Sequence, residues 1–542
     1  MNKPKQNKSF VIGASILGAS TILVKIIGAA FKIPLTNLIG RSGISIFTSA
    51  YVIYNLLFIL STAGLPVAIS RIVAANVAEG RYDDSKRTMR VAFSTFSVFG
   101  LIASILTFVF SSQLSVLIGN PNTGYAIMAI APAVFLISTV GPIKGYFQGH
   151  SDMVPTSVSN IIEALSKLVL GLGIAVFLQS AGYEPSIVAA GAISAISIGT
   201  VLSALYSWFI YIRFKAKHGE EFKAKQLLPP KSYKEILGEF LKMAIPVTLA
   251  ASTMYVANVI DMASVTWRLQ TGFGLSLENA EIAYGDYAGI AQTLVNMPVS
   301  IIVSIGISII PMIAAAQVLR KKDQVTEGIN SSLKITALLA IPCAVVFILF
   351  ANPIITTLYG AEGAAQSVLL LAALGTTAFT ISFSNTSTSI LQGIKKPNIP
   401  IISLAIGAVI KVVLNYFLVA QIGIVGATIS SNICYLVILM INLFFVHYYL
   451  KIRINYFSII IKPLFAYGVS ALIALGMFTL IMRFVTAGRV LSLAILCVCL
   501  IISAVFYIIM LLLTKTLDKN DIILLPKGKK LLKILENKGW IV

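Results

Sequence analysis

Runs of about 20 apolar residues recur from one end of this chain to the other, and this limits the folds open to it. Each run is long enough to cross the hydrocarbon core of a bilayer as a helix. A bilayer offers no water to an unpaired backbone N–H or C=O, so runs of this kind fold as helices. About 14 spans are expected, near 10–31, 44–66, 89–113, 124–147, 155–180, 186–212, 240–268, 286–317, 332–351, 364–391, 399–420, 424–447, 462–484 and 490–514. Pro298 and Pro311 are expected to bend the long run 286–317. Of the 542 residues, 57% are hydrophobic and 11% charged, and the mean hydropathy is +0.92. Soluble domains carry roughly 25% charged residues. A membrane barrel would show short strands of alternating polarity instead. The expected class is an all-α polytopic membrane protein.

The connections between the runs alternate in charge. One set is basic: Lys3, Lys5 and Lys8; then Arg71, Arg81, Lys86, Arg87 and Arg90; then seven cations from Arg213 to Lys234; then Arg320 to Lys322, Lys395 with Lys396, and Lys451 with Arg453. The opposite set, 114–123, 181–185, 269–285, 352–363 and 421–423, has no Lys or Arg; Lys32, Arg41 and Arg489 break the pattern. Cytoplasmic connections carry the Lys/Arg excess, so both termini are expected in the cytoplasm of a bacterial plasma membrane. Lys86, Lys223, Lys322 and Lys451 should then face inward, and Asn122, Gly272 and Glu362 outward. The net charge of +21 is thereby placed against anionic headgroups, and nucleic acid is not an expected partner. Lys3 to Lys8 before an apolar run imitate a signal peptide; the run continues through Lys25, and an uncleaved first helix is expected.

Two landmarks repeat at nearly one offset. QGHSDMVPTSVSNIIEALSK (148–167) and QGIKKPNIPIISLAIGAVIK (392–411) both open with Gln-Gly, cross a Pro-containing connection and reach a lysine 19 residues after the Gln; they lie 244 residues apart. Pro66 in AGLPVAISR and Pro311 in SIIPMIAAA lie 245 apart. A duplicated chain is expected, with six spans before the long basic connection 213–239 and six after it. The corresponding domains are an N-lobe (1–212), a linker (213–239), a C-lobe (240–447), two further spans (448–514) and a basic tail (515–542), with a cavity between the lobes. The tail from Leu517 to Trp540 is amphipathic enough to lie on the inner surface.

Charges inside the spans are costly, about 2.5–3.5 kcal/mol each by insertion scales, and so point to function. They are Lys25 in the first span, Glu163 and Lys167 in the fifth, Asp261 in the seventh and Lys411 in the eleventh. Glu163 and Lys167, four apart, share a helix face and can pair. Asn258 stands one turn before Asp261, which could meet a lysine across the cavity. Lys144 and Arg268 lie near span ends, where snorkelling explains them. Three mid-span lysines against two acids favour an anion-attracting lumen, such as one for a diphosphate. Lys25, Lys167 and Lys411 are the expected substrate contacts, with Glu163, Asp261 and Asn258 as charge partners or coupling groups.

No GxxxxGK[ST], HExxH, GxSxG or paired CxxC occurs. Cys343, Cys434, Cys497 and Cys499 lie in apolar runs, and His150, His218 and His447 form no ligand motif. No catalytic residue, metal site or cofactor is expected.

LVKIIGAAFKIPL (23–35), TAGLPVAISRIVAANVAEG (62–80), 148–167, NVIDM (258–262) and GIAQTLVNMP (289–298) resemble the multidrug/oligosaccharidyl-lipid/polysaccharide exporter superfamily. The resemblance is strongest to the polysaccharide-biosynthesis group that includes stage V sporulation proteins B and MurJ-type lipid II flippases, and spans about 450 residues with the repeat counterpart QGIKKPNIP. It implies two six-helix lobes in a MATE/MurJ-like arrangement, and two C-terminal helices forming a groove for a lipid tail. It implies flipping of an undecaprenyl-diphosphate-linked oligosaccharide, such as lipid II or a related cell-wall precursor, by alternating access driven by an ion gradient or the membrane potential. Lys25 falls on the family's basic cavity residue before a Gly, and Glu163 and Lys167 on the group's acidic and basic positions in the fifth helix. There is one departure: where Gram-negative MurJ proteins have an arginine in the eighth span, this chain has Gln292, Thr293 and Asn296.

Two other readings compete. One is a cation-coupled drug or metabolite antiporter of the MATE type. The other is a membrane-embedded glycosyl- or acyltransferase, for which Glu281 and Asp286 are the nearest catalytic acids. The flippase reading is preferred for the repeat and the basic lumen. Its partners would be the lipid-linked substrate and membrane lipids, with a monomer favoured.

Overall fold

The computed structural model describes residues 3–62, 65–150, 152–224, 231–302, 322–361, 364–394, 396, 398–451, 455–485, 488–514 and 516. Pro311, Glu362 and the tail from Leu517 to Trp540 lie outside the described residues, as do the side chains of Lys3 to Lys8, Lys223 and Lys322. Eleven helices among the described residues are long and apolar enough to cross a membrane. The chain is an all-helical, multi-pass membrane protein. The first of the eleven covers two of the 14 expected spans, joined at a kink at Gly40, and the expected spans 240–268 and 286–317, which include residues or side chains outside the described ones, are not among the eleven. The chain divides into two compact units, Met1–Gly285 and Asp286–Val542.

The first unit opens with α1 (Lys3–Thr62), two helical segments that meet at a kink at Gly40, with the expected spans 10–31 and 44–66 on either side of it. Residues 32–43, rich in Pro, Gly and polar groups, were expected as a connection. They are helical except at Gly40, whose φ of 70° and ψ of −172° bend the axis. A side chain at that φ would be strained, so glycine permits the bend. Next come α2 (Leu65–Ala78), α3 (Tyr82–Val109), α4 (Ser111–Leu117), α5 (Gly124–Gly149), α6 (Val154–Ser180), α7 (Pro185–Ala224), α8 (Tyr233–Thr271) and α9 (Leu277–Tyr284). Ser232 and Glu235 form a capping box at the start of α8, which fixes where that helix begins.

α5 is the most enclosed helix of this unit and packs on α1, α2, α3 and α7. Gly145 and Gly149, one turn apart, let α2 approach closely: a Cβ on the first would overlap Pro66, and on the second Val73. α3 turns Val98, Phe99, Ile102 and Ile105 outward. That is the surface of a helix bathed in lipid tails, where exposed apolar side chains carry no penalty. Hydroxyls link the helices. Ser159 of α6 meets Ser203 of α7 at 2.6 Å, and Ser197 of α7 donates to the Ala129 carbonyl of α5 at 2.8 Å.

The second unit opens in a π-helical turn that begins at Gly285 and runs to Ala291. It continues through α10 (292–302), α11 (Lys322–Leu349), α12 (Ala351–Tyr359), α13 (Ala364–Gly393), α14 (Asn398–Ile422), α15 (Ile424–Leu450), α16 (Lys462–Phe484) and α17 (Arg489–Leu513). α13 packs on α11 and α15, and α14 on α15. The last two helices pack on each other, with Tyr467 and Tyr507 edge to face at 5.0 Å, and lean on α11 and α12. Neutral polar pairs stitch this unit. Asn432 accepts from Thr376 at 2.8 Å and Thr377 at 2.6 Å; Asn442 accepts from Ser403 at 2.8 Å and donates to Thr388 at 3.0 Å.

The Gln-Gly landmarks close matching helices. α5 ends at Gly149 and α13 at Gly393; α6 begins at Val154 and α14 at Asn398, an offset of 244 in both cases. In each unit the following helix packs along its successor, α6 on α7 and α14 on α15. The Pro66–Pro311 landmark is half outside the described residues.

Candidate functional site

Charge gathers where α1, α5 and α6 meet in the first unit. Lys167, half-buried on α6, holds its ammonium 5.5 Å from the ring centre of Phe31 and 5.6 Å from that of Tyr51, both on α1. A cation over aromatic faces is attracted by the ring quadrupoles, which replace part of its hydration. Lys32, beside Phe31, lies near enough for its charge and that of Lys167 to repel. Across the interface with α5, Lys144 donates to Asn160 Oδ1 at 2.8 Å and feels the carboxylate of Glu163. The same carboxylate acts on the buried Tyr54 hydroxyl, which also faces Thr200 of α7 and has no hydrogen-bond partner within 3.5 Å among the described residues.

This arrangement differs from the one-helix ion pair expected of Glu163 and Lys167. Among the described residues they form no ion pair. Glu163 turns toward Lys144 and Tyr54, and Lys167 toward the rings of α1. Lys144 does not snorkel, because Asn160 holds it across the α5–α6 interface. Packing fixes the geometry at this level. A Cβ on Gly199 of α7 would stand 3.1 Å from the Glu163 carbonyl, so its absence brings α7 against α6 beside the acid. The cluster holds three lysines and one carboxylate.

The other expected residues stand apart from this cluster. Lys25 is exposed on α1, seven residues before Lys32 and so on nearly the same face. Asp261 is buried on α8 next to Tyr284 of α9, and Asn258 is half-buried one turn earlier. Lys411 is in the second unit, fully buried on α14, with its ammonium 5.9 Å from the Tyr435 ring of α15. Lys32 and Tyr54 were not singled out from the sequence. Lys32 was visible as a break in the charge alternation and as a residue two helical turns from Lys25. Tyr54 left no sequence signal.

The acids considered for a transferase are structural anchors here. Glu281 accepts from Ser42 at 2.6 Å and from Asn122 at 2.9 Å, tying α9 to the chain two residues after the Gly40 bend. Asp286 is fully buried and accepts from Ser367 at 2.7 Å.

A helical bundle with lysines committed to its apolar interior has the form of a membrane transporter, and the comparisons agree. The model of the polysaccharide biosynthesis protein family matches residues 10–317, and the MatE model matches 287–417. The chain belongs to the polysaccharide biosynthesis protein family, within the multidrug/oligosaccharidyl-lipid/polysaccharide exporter superfamily. It is 25% identical over 448 residues to the lipid II flippase MurJ of Bacillus subtilis (strain 168), covering 79% of this chain and 80% of that one. It is also 25% identical over 430 residues to stage V sporulation protein B of the same organism, covering 78% and 80%. The solved structure of a lipid II flippase MurJ in an inward closed conformation shares the fold, with a TM-score of 0.66 at 16% identity, over 91% of this chain and 97% of that one.

Proposed function

We propose that this protein flips an undecaprenyl-diphosphate-linked oligosaccharide, lipid II or a related cell-wall precursor, from the inner to the outer leaflet of a bacterial plasma membrane by alternating access. The observation that carries the proposal is the gathering of three lysines where α1, α5 and α6 meet: Lys144 beside the Glu163 carboxylate, Lys167 over the rings of Phe31 and Tyr51, and Lys32 near Lys167. Such a cluster retains excess positive charge in a low-dielectric setting, and a diphosphate supplies the missing anion. Lys25, on the Lys32 face of α1, would meet the substrate first. Glu163 keeps the cluster from being purely cationic when substrate is absent, and so allows release. Kinship with a lipid II flippase over most of both chains supports the same substrate class.

The match of 287–417 to the MatE model favours a second reading, a cation-coupled antiporter. Depletion of the protein in its own cells separates the two. A flippase should leave its lipid-linked precursor accumulating on the inner leaflet, and the identity of that precursor names the sugar. Unchanged precursor pools, with loss of resistance to cationic compounds, would favour the antiporter.

A further inference from the structure

A second basic site lies away from the cluster around Glu163, at the ends of α3, α5 and α7 that the charge alternation assigns to the cytoplasm. It is a cavity of about 210 Å³ between the three helices. Its cations are Lys86 and Arg90 of α3 and Lys215 of α7, and no acid lines it. Its walls are aromatic: Trp208 stands edge-on to Phe93 at 4.9 Å and to Tyr211 at 5.8 Å. Lys86 leans toward Asp83 at 3.7 Å, and Arg90 donates to the Tyr233 hydroxyl at 2.8 Å. Lys215 is exposed and forms no ion pair among the described residues.

We infer that this cavity binds the phosphate-bearing headgroup of an anionic phospholipid from the leaflet it faces. Its volume is below the roughly 300–1,000 Å³ of pockets that enclose whole ligands, so it suits a headgroup whose chains remain in the bilayer. Three lining cations, of which among the described residues only Lys86 leans on an acid, and that one outside the lining, select negative charge, and basic pockets between helices on this side are suited to lipid phosphates. Aromatic rings at headgroup depth pack against the glycerol and the first carbons of the chains, with their polar edges toward water. Arg90 also holds Tyr233 at the start of α8, so a bound phosphate would share that guanidinium and link the start of α8 to the charge of the leaflet.

Trp208 makes the site readable. With Trp267→Phe and Trp540→Phe it is the sole tryptophan in the sequence. Its fluorescence would be titrated in neutral micelles with phosphatidylglycerol or phosphatidylcholine brominated near the glycerol end of the chains. Phosphatidylglycerol should quench at about tenfold lower mole fraction, and the preference should shrink as salt rises. Lys86→Gln and Lys215→Gln should each reduce it about fivefold. Lys215→Gln removes no bond of the fold, so it keeps the test valid even if Lys86→Gln unfolds the protein. Equal quenching by both lipids, or an unchanged preference in Lys215→Gln, overturns the inference. Reversal of quenching by equimolar soluble glycerol phosphate also overturns it, by assigning the cavity to a soluble phosphate.

Discussion

Lys167 and Lys411 stand at equivalent places in the two copies of the repeat, yet their surroundings differ. Lys167 is half-buried, lies over two rings of a neighbouring helix and has Lys32 within electrostatic reach. Lys411 is fully buried between α14 and α15. The helices around Lys167 carry further charge in Lys144 and Glu163, whereas those around Lys411 are joined by Thr, Ser and Asn pairs. Such neutral pairs hold helices together at modest gain, averaging about 0.6 kcal/mol in membranes. The duplicated helix plan is thus kept in both units, while the surroundings of the two equivalent lysines differ. Under the proposed function, substrate contact is then expected from the first unit more than from the second.

The largest test of that asymmetry is removal of its cations. Lys167→Ala and Lys25→Ala should each reduce affinity for a diphosphate-linked precursor by about 10- to 150-fold, the equivalent of one charged hydrogen bond of about 1.5–3 kcal/mol. The protein should still reach the membrane. Lysine-to-arginine changes should retain more binding, since the charge is kept. Binding to purified variants, with and without pyrophosphate as competitor, measures this. Unchanged affinity in both alanine variants would reject the basic-cluster mechanism and favour the cation antiporter.

The next effect concerns the counter-charge. Glu163→Gln should lower membrane abundance several-fold, because it leaves the cations of the cluster without their carboxylate, and losses of about 1–2 kcal/mol act on abundance at that scale. The geometry says which second change should compensate. Lys144→Met, which removes the cation that Glu163 attracts and Asn160 holds, should restore abundance. Lys167→Met should restore less, since Lys167 is directed to Phe31 and Tyr51. Abundance of GFP-tagged single and double variants on size-exclusion chromatography reads this out. Equal rescue by both would reinstate the one-helix pair.

Much of the fold was legible because a membrane span announces itself: about 20 apolar residues have few other uses. The repeat offset was legible for the same reason, since Gln-Gly at the end of an apolar run is easily aligned by eye. The bend at Gly40 was not. Residues 32–43 read as a loop by composition, but the backbone stays helical on either side of a single glycine. At the site, the costly residues were visible while their directions were hidden. A four-residue spacing suggests that Glu163 can reach Lys167, but tertiary neighbours on α1 and α5 decide where each points. The Lys144–Asn160 bond did leave a trace. Both residues lie eight positions from Asp152, in the connection between α5 and α6, so an antiparallel hairpin brings them level. The full burial of Lys411 left no trace, because the sequence does not say which face of α14 meets α15.

Lys411 provides the smallest expected effect and the sharpest control. A lysine with no exposed surface has lost the hydration of its ammonium, and its neighbours on α14 and α15 offset that loss. Lys411→Met keeps the length of the side chain and removes the charge, so it leaves no cavity and strips the desolvation cost. Replacing a whole buried ion pair by packed apolar groups is often neutral or stabilising, whereas removing one member leaves its partner's atoms unsatisfied. Whatever the change in thermal midpoint, precursor binding by the folded variant should stay within about threefold of the parent, a difference under about 0.7 kcal/mol. Lys167→Met, at the equivalent place in the first unit, should lose binding as the alanine variant does. If Lys411→Met instead keeps its thermal midpoint and loses binding tenfold, the second unit contributes a cation to the substrate after all, and substrate contact is as symmetric as the repeat that encodes it.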